Sequence, residues 1–377
     1  MKRRVWVELD LETLVANYRK IAASVSPLGV MCVLKANAYG LGVGAYARAL
    51  HGAGCRMFGV AEPHEALELK RIFADADEMP EVQMLSSVLP DEIDEMVASS
   101  VVLPVVDLQV AEMIDSAAAR QGVRAKIHFK IDTGMGRLGI LQADALETMS
   151  AAAGLKHLDC EGVFSHCPMA YLPDDLSTRR QIRGFAALVG EAARKGIRFK
   201  KVHIAASDAI NNYPEAARPP FTMVRSGINL HGSFDPNGIK ALKVDPVLTL
   251  KTRIAQVRRL PAGTTIGYGR TCRLDAERTV AVISAGYADG LPMALSNRGT
   301  VLIGSRHCPI IGRISMDYAT VDVTGVEGVK AGDEVVCFGR SGENRITPDD
   351  WAAIKGTHAY DIICSLGSRV ERTVRQR

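Results

Sequence analysis

The chain has few aromatic residues, no closely paired cysteines and no long apolar segment. Of its 377 residues 47% are hydrophobic but only 5% are aromatic, so aliphatic side chains must supply most of the core. Eight cysteines are scattered without a Cys-x-x-Cys pair or a Cys/His cluster, at positions 32, 55, 160, 167, 272, 308, 337 and 364. This spacing argues against a structural zinc site and predicts reduced, mostly buried thiols.

Blocks of like charge are also missing. The net charge of +4 is spread along the chain, and no basic run is interleaved with aromatic residues, so binding to nucleic acid or to a membrane surface has little support. The basic start, residues 1–4, is typical of a signal peptide, but Glu8, Asp10 and Glu12 interrupt the apolar segment that export requires. We therefore expect a cytoplasmic globular protein of two domains.

The first 235 residues alternate between Val/Ile/Leu-rich runs and helical patterns, such as those over 63–73, 108–121 and 178–195. The apolar runs predict eight strands, over 30–35, 57–60, 82–85, 101–106, 126–131, 160–164, 201–204 and 223–226. Eight strand–helix units of this length predict a (β/α)8 barrel over residues 10–238. The chemistry of such a barrel lies at the carboxyl ends of its strands.

Beyond about residue 240 the helical spacing gives way to short β-branched runs broken by Gly, Pro and Asp. These runs predict strands over 247–257, 279–284, 300–303, 310–314, 319–323 and 334–338. We expect a mostly antiparallel C-terminal β domain over 239–377, folded as a small barrel or a sandwich. The alternating segment Val5–Leu9 predicts a further strand, and residues 1–9 are expected to join this sheet.

Five chemically suggestive side chains lie at or just past the ends of predicted strands one, five, six, seven and eight: Lys35, Arg137, His166, Ser207 and Arg225. One barrel rim collects these strand ends, so they predict one site. Lys35 follows an apolar run and enters a small-residue turn, where we expect it to be buried or half-buried, with a lowered pKa that suits Schiff-base formation. Taken alone, Lys35 also fits a lysine that reaches solvent, and His166 and Ser207 also fit core or loop residues.

Three barrel segments resemble the alanine racemase family: Lys35-Ala-Asn-Ala-Tyr39-Gly-Leu-Gly42, Met135-Gly-Arg137-Leu-Gly139 and Arg225-Ser-Gly227-Ile228-Asn-Leu-His-Gly232. The resemblance implies that Lys35 carries pyridoxal 5'-phosphate as an internal aldimine. It implies further cofactor contacts from Tyr39, Leu85, Arg137, His166, Ser207, Arg225, Gly227 and Ile228. A cationic Arg225 beside the pyridine nitrogen would keep the ring unprotonated and weaken it as an electron sink.

Four segments of the second domain carry the same resemblance: Gly267-Tyr268-Gly269-Arg270, Gly286-Tyr287-Ala-Asp-Gly290, Gly312-Arg-Ile-Ser-Met316-Asp317 and Ala359-Tyr360-Asp361. It implies that Tyr268 is the second catalytic base beside Lys35. A free phenol has a pKa near 10, so this role needs positive potential or a hydrogen-bonded relay such as His166–Arg225. The implied substrate contacts are Arg137, Tyr287, Met316 and Asp317, and Tyr360 would narrow the pocket and contact the phosphate.

The resemblance implies an isomerase that interconverts L- and D-alanine by two-base proton exchange and supplies D-alanine for peptidoglycan. It also implies a head-to-tail homodimer with shared active sites, and we expect no metal, nucleic-acid or membrane partner. Serine or a broader set of amino acids remains an alternative substrate, although Tyr360 favours small side chains. A non-catalytic carrier would not need Tyr268, and a decarboxylase would place an acidic residue where Arg225 stands.

Several positions depart from the family pattern and leave substrate breadth and rate open: Ala206, Ser226, His231 and Met293. None of these departures removes a group that the resemblance places in catalysis. Lys130 matches a position that is carbamylated in some family members, where it orients the arginine that corresponds to Arg137.

Overall fold

A computed structural model describes residues 3–235, 237–239 and 241–375. Its contacts divide the chain into two compact units. The barrel unit comprises Leu14–Ala38 and Val43–Val244, and the β unit comprises the remaining described residues, among them Tyr39–Gly42. The C-terminal segment of the β unit begins at Asp245, where the sequence predicts residue 239, and the unit also includes four residues from the turn after Lys35.

The barrel unit is a closed ring of eight parallel strands: Gly29–Val33, Met57–Val60, Glu81–Met84, Leu103–Val105, Ala125–Asp132, Leu158–Phe164, Lys201–His203 and Met223–Ser226. A bridge between Gln83 and Val102 joins the third and fourth strands. The seventh and eighth strands are joined where the Thr222 amide donates to the Val202 carbonyl oxygen at 2.9 Å. The predicted (β/α)8 barrel is confirmed.

The helix Leu11–Val25 precedes the first of these strands, and further helices connect one strand to the next: Val43–Gly52, Pro63–Ile72, Ile93–Ala98, Leu108–Gln121, Ala145–Ala152, Leu176–Arg194 and Ser207–Asn212. Leu108–Gln121 shows why the sequence folds this way. The Asp107 carboxylate accepts from the Val110 amide at 2.8 Å and starts the helix, and Gly122 ends it in the left-handed conformation. Its buried residues recur at helical spacing, so one face covers the core.

The β unit contains a closed antiparallel barrel of six strands: Leu248–Leu260, Arg278–Ile283, Thr300–Ile303, Arg306–Ile311, Ala319–Asp322 and Glu334–Ser341. The long strand Leu248–Leu260 closes it, because its two halves pair with Glu334–Ser341 and Arg278–Ile283. Of the two predicted arrangements the barrel is therefore the one observed. Val5–Leu9 pairs antiparallel to Leu248–Leu260 and parallel to Glu371–Val374.

The remaining elements are short. They are the strands Ile140–Leu141, Thr265–Ile266, Cys272–Arg273 and Asn344–Ile346, the helices Pro348–Lys355 and Ala359–Cys364, and a helical turn over Lys35–Gly40. Short 3₁₀ turns include Ile228–His231, Tyr268–Arg270 and Tyr287–Asp289. No helix in the described part of the chain combines the length and apolar composition that a bilayer crossing requires.

Candidate active site

The turn after Lys35 has left-handed backbone geometry. Four consecutive residues without a glycine among them, 36–39, have φ values of 52–59°. This conformation costs an L residue roughly 1–2 kcal/mol. The prediction that Lys35 is buried or half-buried is wrong, because its side chain is exposed. The physical reason is its position, since Leu34 is the last residue of the buried run and Lys35 begins the turn that leaves it.

Positive charge is concentrated on the rim of the barrel unit. Burial lowers the pKa of Lys130 to about 8, and the charges of Arg137, Arg225 and Lys35 act in the same direction. The Lys130 ammonium donates to the Leu85 carbonyl oxygen at 2.6 Å. Four cationic side chains near one another repel, so an anionic ligand among them would be stabilised.

Arg225 is held inside the barrel by uncharged acceptors. Only 4% of the residue is exposed. Its guanidinium donates to His203 Nδ1 at 2.7 Å and to the carbonyl oxygens of Ser165 at 2.7 Å and Ile204 at 3.0 Å, and it lies 3.3 Å from His166 Nδ1. Burial lowers the pKa of Arg225 to about 10, so the side chain stays charged near neutrality.

Sequence reasoning missed two buried histidines behind Arg225. His203 Nε2 lies 3.2 Å from His128 Nδ1, and the Phe164 ring stacks on His203 with centroids 5.1 Å apart. Burial lowers the pKa of His128 to about 3 and lowers that of His203 as well, so both rings are neutral. Their only sequence signal is a polar residue in an apolar strand, which does not reveal a partner.

His166 also lies beside Arg225 as a neutral ring. Burial, followed by the charge of Arg225, lowers the pKa of His166 to about 3. Because Nδ1 faces the Arg225 guanidinium, it is assigned as the acceptor, and Nε2 carries the hydrogen. His166 is therefore a donor through Nε2.

A buried polar cradle surrounds Ser207 and the start of the turn Ile228–His231. The Gly227 amide donates to Ser207 Oγ at 3.0 Å, and Ser207 Oγ donates in turn to Asn229 Oδ1 at 3.0 Å. Ser226 Oγ donates to the same amide oxygen at 2.6 Å. The Asn229 Nδ2 group is buried and has no hydrogen-bond partner among the described residues. Asn229 Nδ2 is therefore the donor group that this cradle can offer to a buried ligand.

The loop that carries Arg137 is organised by Asp132. Its carboxylate accepts from four backbone amides, at 2.8 Å from Gly134 and at 3.1 Å from Arg137. Burial raises the pKa of Asp132, but these donors outweigh it and leave the pKa lowered. Gly139 is required because a Cβ there would lie 2.8 Å from the Lys130 carbonyl oxygen. The loop leaves Arg137 exposed.

Leu85 lies half-buried in the barrel unit, against a cluster formed by Met31, Met57 and Met223. Gly59 leaves room for this packing, because a Cβ at that position would lie 2.8 Å from Leu85 Cδ1. One side of the Leu85 side chain is therefore packed against the methionine cluster, and the other side remains accessible. An apolar residue in this position can support a flat ligand.

In the β unit, Tyr39 and Tyr360 lie together, with ring centroids 5.9 Å apart. Burial raises the pKa of Tyr39, so its phenol stays protonated. The His358 ring meets Tyr360 edge to face at 5.3 Å, and Arg372 Nε donates to the Gly40 carbonyl oxygen at 2.9 Å. These contacts fix the positions of both tyrosines within this unit.

Tyr268 projects from a glycine-flanked turn and is 72% exposed. Gly267 and Gly269 have φ values of 70° and 72°, which suit glycine. A Cβ on Gly267 would lie 3.2 Å from the Arg313 backbone, so the turn packs tightly against the segment that leads to Met316. The tight packing positions the turn while the phenol remains accessible.

Tyr287, Met316 and Asp317 lie on two adjacent turns of the same unit. The Tyr287 amide donates to the Ser315 carbonyl oxygen at 3.0 Å, and Arg369 donates to Asp317 at 2.7 Å. Arg369 also donates to the buried Asp289 carboxylate at 2.7 and 2.9 Å. The structure thus brings the predicted β-unit substrate residues to neighbouring turns, next to that of Tyr268.

Both parts of the chain match models of one protein family. The model described as "Alanine racemase, N-terminal domain" matches residues 9–235, and the model described as "Alanine racemase, C-terminal domain" matches residues 247–374. The chain belongs to the alanine racemase family. The family resemblance of the seven motifs is confirmed.

Curated relatives cover almost the whole chain. An alanine racemase 2 from Caldanaerobacter subterraneus subsp. tengcongensis is 38% identical over 369 residues, which are 97% of this chain and 93% of that protein. An alanine racemase from Geobacter sulfurreducens is also 38% identical, over 97% of this chain and 95% of its own length. These family members share both domains with this chain.

Solved structures of alanine racemases share its fold. That from D-cycloserine-producing Streptomyces lavendulae superposes with a TM-score of 0.92 at 33% identity and covers 100% of this chain and 98% of its own. That from Bartonella henselae, described with covalently bound pyridoxal phosphate, has a TM-score of 0.88 at 29% identity over 99% and 100%. Both similarities extend through the barrel and the β unit.

As a member of this family, the chain is a pyridoxal-phosphate-dependent racemase, an isomerase. The donor set of the barrel unit fits such a cofactor. The buried, unpartnered Asn229 amide group beside Ser207 and Gly227 suits a phosphate, and the buried cation Arg225 suits a ring nitrogen. The surrounding positive charge suits an anionic group of this kind.

Proposed function

We propose that this protein interconverts L- and D-alanine, with Lys35 and Tyr268 as the two proton-exchanging bases. The observation that carries the proposal is the concentration of four cations with a buried donor cradle in the barrel unit. Such a site suits an amino acid bound beside a phosphate-bearing cofactor. The alanine racemases of similar length support the choice of substrate.

We assign the cofactor contacts to Lys35, Tyr39, Leu85, Arg137, His166, Ser207, Arg225, Gly227, Ile228 and Tyr360. When bound, the cofactor withdraws electrons from the substrate and acidifies its α-hydrogen. Arg225 would hold the ring nitrogen unprotonated, because a guanidinium with a pKa of about 10 remains charged and does not give up its proton. Arg225 would thereby moderate the electron withdrawal that the cofactor supplies and would limit side reactions.

Proton exchange needs one base on each face of the α-carbon. Lys35 Nζ would remove the α-hydrogen of the D-enantiomer, and Tyr268 Oη that of the L-enantiomer. A single base would return the proton to the face it came from. Arg137 and the Met316 backbone would bind the substrate carboxylate, and Tyr287 and Asp317 would shape the substrate end of the pocket.

The role of Tyr268 requires that its phenolate be stabilised. His166 is neutral and donates through Nε2, so it would donate a hydrogen bond to the phenolate oxygen without adding a charge. The positive charge would come from Arg225 behind it. Such a relay lowers the pKa of a phenol toward the range where it exchanges protons near neutral pH.

We further propose a head-to-tail homodimer in which one subunit's Tyr268 completes the site of the other. Besides Tyr268, other large side chains of the β unit are exposed: Tyr287 is 43%, Met316 52%, Met293 47% and Tyr318 40% exposed. Exposed apolar side chains of this number favour a surface covered by protein. A two-fold axis would build two identical shared pockets.

The biological role that follows is the supply of D-alanine for peptidoglycan in the cytoplasm. The test is an inversion assay with enantiopure amino acids, analysed by chiral chromatography. We expect alanine to be inverted fastest, because Tyr360 beside Tyr39 favours small side chains. Faster inversion of serine would favour the broader racemase, and release of carbon dioxide without inversion would contradict the proposal.

Cofactor attachment is tested separately. Borohydride reduction followed by peptide mapping should place the pyridoxyl group on Lys35. A label on Lys130 or any other lysine would overturn the site assignment, whatever the substrate. Arg225→Gln is a useful companion variant, because it should keep the label on Lys35 while increasing formation of pyridoxamine phosphate per inversion.

A further inference from the structure

Glu65 ties the loop that follows the second barrel strand to the turn that begins at Lys35. The residue is only 6% exposed. Its Oε2 accepts from the amides of Ala61 at 2.9 Å and Glu62 at 3.1 Å. Its Oε1 accepts from the Ala36 amide and, at 3.3 Å, from the Asn37 amide. One buried carboxylate therefore serves four amides in two loops.

The turn depends on acceptors of this kind. Within the turn, the Ala38 amide donates to the Leu34 carbonyl oxygen at 2.8 Å. The amides of Ala36 and Asn37 come earlier and lie at the start of a helical turn, where no preceding carbonyl group is in position to accept. A carboxylate is the strongest acceptor available for such amides. Glu65 therefore stabilises a backbone conformation that L residues otherwise disfavour.

A second side-chain hydrogen bond, accepted by Asn37, holds the other end of the turn. Asn37 Oδ1 accepts from the Val43 amide at 2.7 Å, at the first residue of the helix Val43–Gly52. Asparagine is also the side chain that tolerates the left-handed conformation best after glycine. With Asn37 bracing the exit of the turn, Glu65 is the side chain that fixes its entry, directly beside Lys35.

We propose that Glu65 is a positioning residue, which holds the Lys35 amine in place for attachment of the cofactor. The proposal rests on the proposed role of Lys35. If the entry of the turn loosens, Lys35 samples orientations away from the cofactor aldehyde, so the attachment step slows even when the cofactor is bound. A glutamate that only started its own helix, Pro63–Ile72, would stabilise the fold without this effect.

The experiment uses the full-length protein with Glu65→Gln and Glu65→Ala, and Asp107→Ala as the matched control. Asp107 is also a carboxylate at the start of a barrel helix, but its side chain accepts from the Val110 amide of its own helix. Glutamine keeps one acceptor oxygen and turns an NH₂ group toward the other pair of amides. Alanine removes both acceptors.

The first readout is amide hydrogen exchange in a peptide covering residues 34–38. We expect exchange at Ala36 and Asn37 to accelerate about tenfold or more in Glu65→Ala, consistent with loss of hydrogen bonds to a charged group. Asp107→Ala should leave this peptide unchanged. Unaltered exchange in folded Glu65→Ala would overturn the proposal, as would equal acceleration in Asp107→Ala.

The second readout is the first-order rate at which Lys35 captures pyridoxal phosphate at saturating concentration, followed by absorbance. We expect Glu65→Gln to slow capture about tenfold, with little change in the concentration needed for saturation, and Asp107→Ala to match the wild type. Equal rates in all three would overturn the proposal. If wild-type protein reduced with borohydride carries no label on Lys35, the proposed function fails instead. The amide exchange result still tests whether Glu65 holds the start of the turn.

Discussion

The barrel rim and the Tyr268 turn differ in how far their side chains are buried and hydrogen-bonded within the same chain. Arg225 is 4% exposed and its donors meet carbonyl oxygens and ring nitrogens of the same unit. Tyr268 is 72% exposed on a turn whose backbone is tightly packed. The rim is assembled within one chain, whereas the surface around Tyr268 is the one that we propose to contact a second subunit.

This difference has an energetic basis. A buried guanidinium without acceptors would cost several kcal/mol, so the barrel must supply its partners before any ligand arrives. An exposed phenol needs no partner to be stable in water. Gly267 and Gly269 adopt positive φ values on either side of Tyr268 and leave its side chain exposed.

The largest expected effect is recovery of activity from two inactive variants. Lys35→Ala and Tyr268→Ala should each lack racemase activity. If the bases act across the dimer, mixing them under subunit exchange gives heterodimers with one intact pocket, and equal amounts should reach roughly a quarter of wild-type activity. No recovery despite demonstrated heterodimers would confine both bases to a single chain.

Next in size is the loss of one base. Tyr268→Phe should lower turnover about 10²–10⁴-fold, because a positioned acid–base group is removed. The absorbance of the bound cofactor should not change, since Lys35 is untouched. Tyr318→Phe is the matched control, as this exposed tyrosine lies in the same unit. Near-normal turnover in Tyr268→Phe would show that its hydroxyl group has no catalytic role.

A third substitution compares buried and exposed arginines. Arg225→Lys should lower the free energy of unfolding by about 3 kcal/mol, because an ammonium cannot reach all of the acceptors around the guanidinium. Arg137→Lys should change it by less than about 0.5 kcal/mol, since that side chain is exposed. Urea unfolding of both variants gives the values. Equal losses of unfolding free energy in the two variants would show that the buried hydrogen bonds of Arg225 do not stabilise the fold.

The smallest effect concerns Lys130, whose pKa burial and neighbouring cations lower to about 8. Below pH 8 the lysine is charged in both folded and unfolded chains. Between pH 8 and about 10 the unfolded chain binds more protons, so the free energy of unfolding should rise by about 1–2 kcal/mol relative to Lys130→Met. If the free energies of unfolding of wild type and Lys130→Met change in parallel from pH 7 to 10, the pKa of the Lys130 amine is not lowered by folding.

The bounds of a strand could be predicted from the sequence where the strand coincides with a short apolar run. The second barrel strand, Met57–Val60, has the bounds that the sequence predicts over 57–60. The predicted strand over 310–314 is instead Arg306–Ile311, because a tight turn at Gly304 fixes its pairing with Thr300–Ile303. Turn geometry determines register, and hydrophobic pattern alone does not report it.

The candidate site was less predictable than the fold, because its supports join residues distant in sequence. Motif resemblance pointed to Lys35 and Tyr268, but it did not indicate that Lys35 would be exposed or that a left-handed turn would follow. Apart from Asn37, no residue in this segment of Ala, Asn, Ala and Tyr has a propensity for that turn. Glu65 was missed because a glutamate in the first helical turn is common and its reach to Ala36 depends on strand order.

The turn after Lys35 also has a consequence for protein chemistry. Mirror-image residues prefer the half of conformational space that residues 36–39 occupy. Replacing the exposed Ala36 by its D form through chemical ligation should therefore stabilise the native backbone, whereas the same exchange in an ordinary helix would disrupt it. In a chain for which we propose the synthesis of D-alanine, a backbone position that would accept this amino acid lies beside Lys35, one of the two bases proposed to make it.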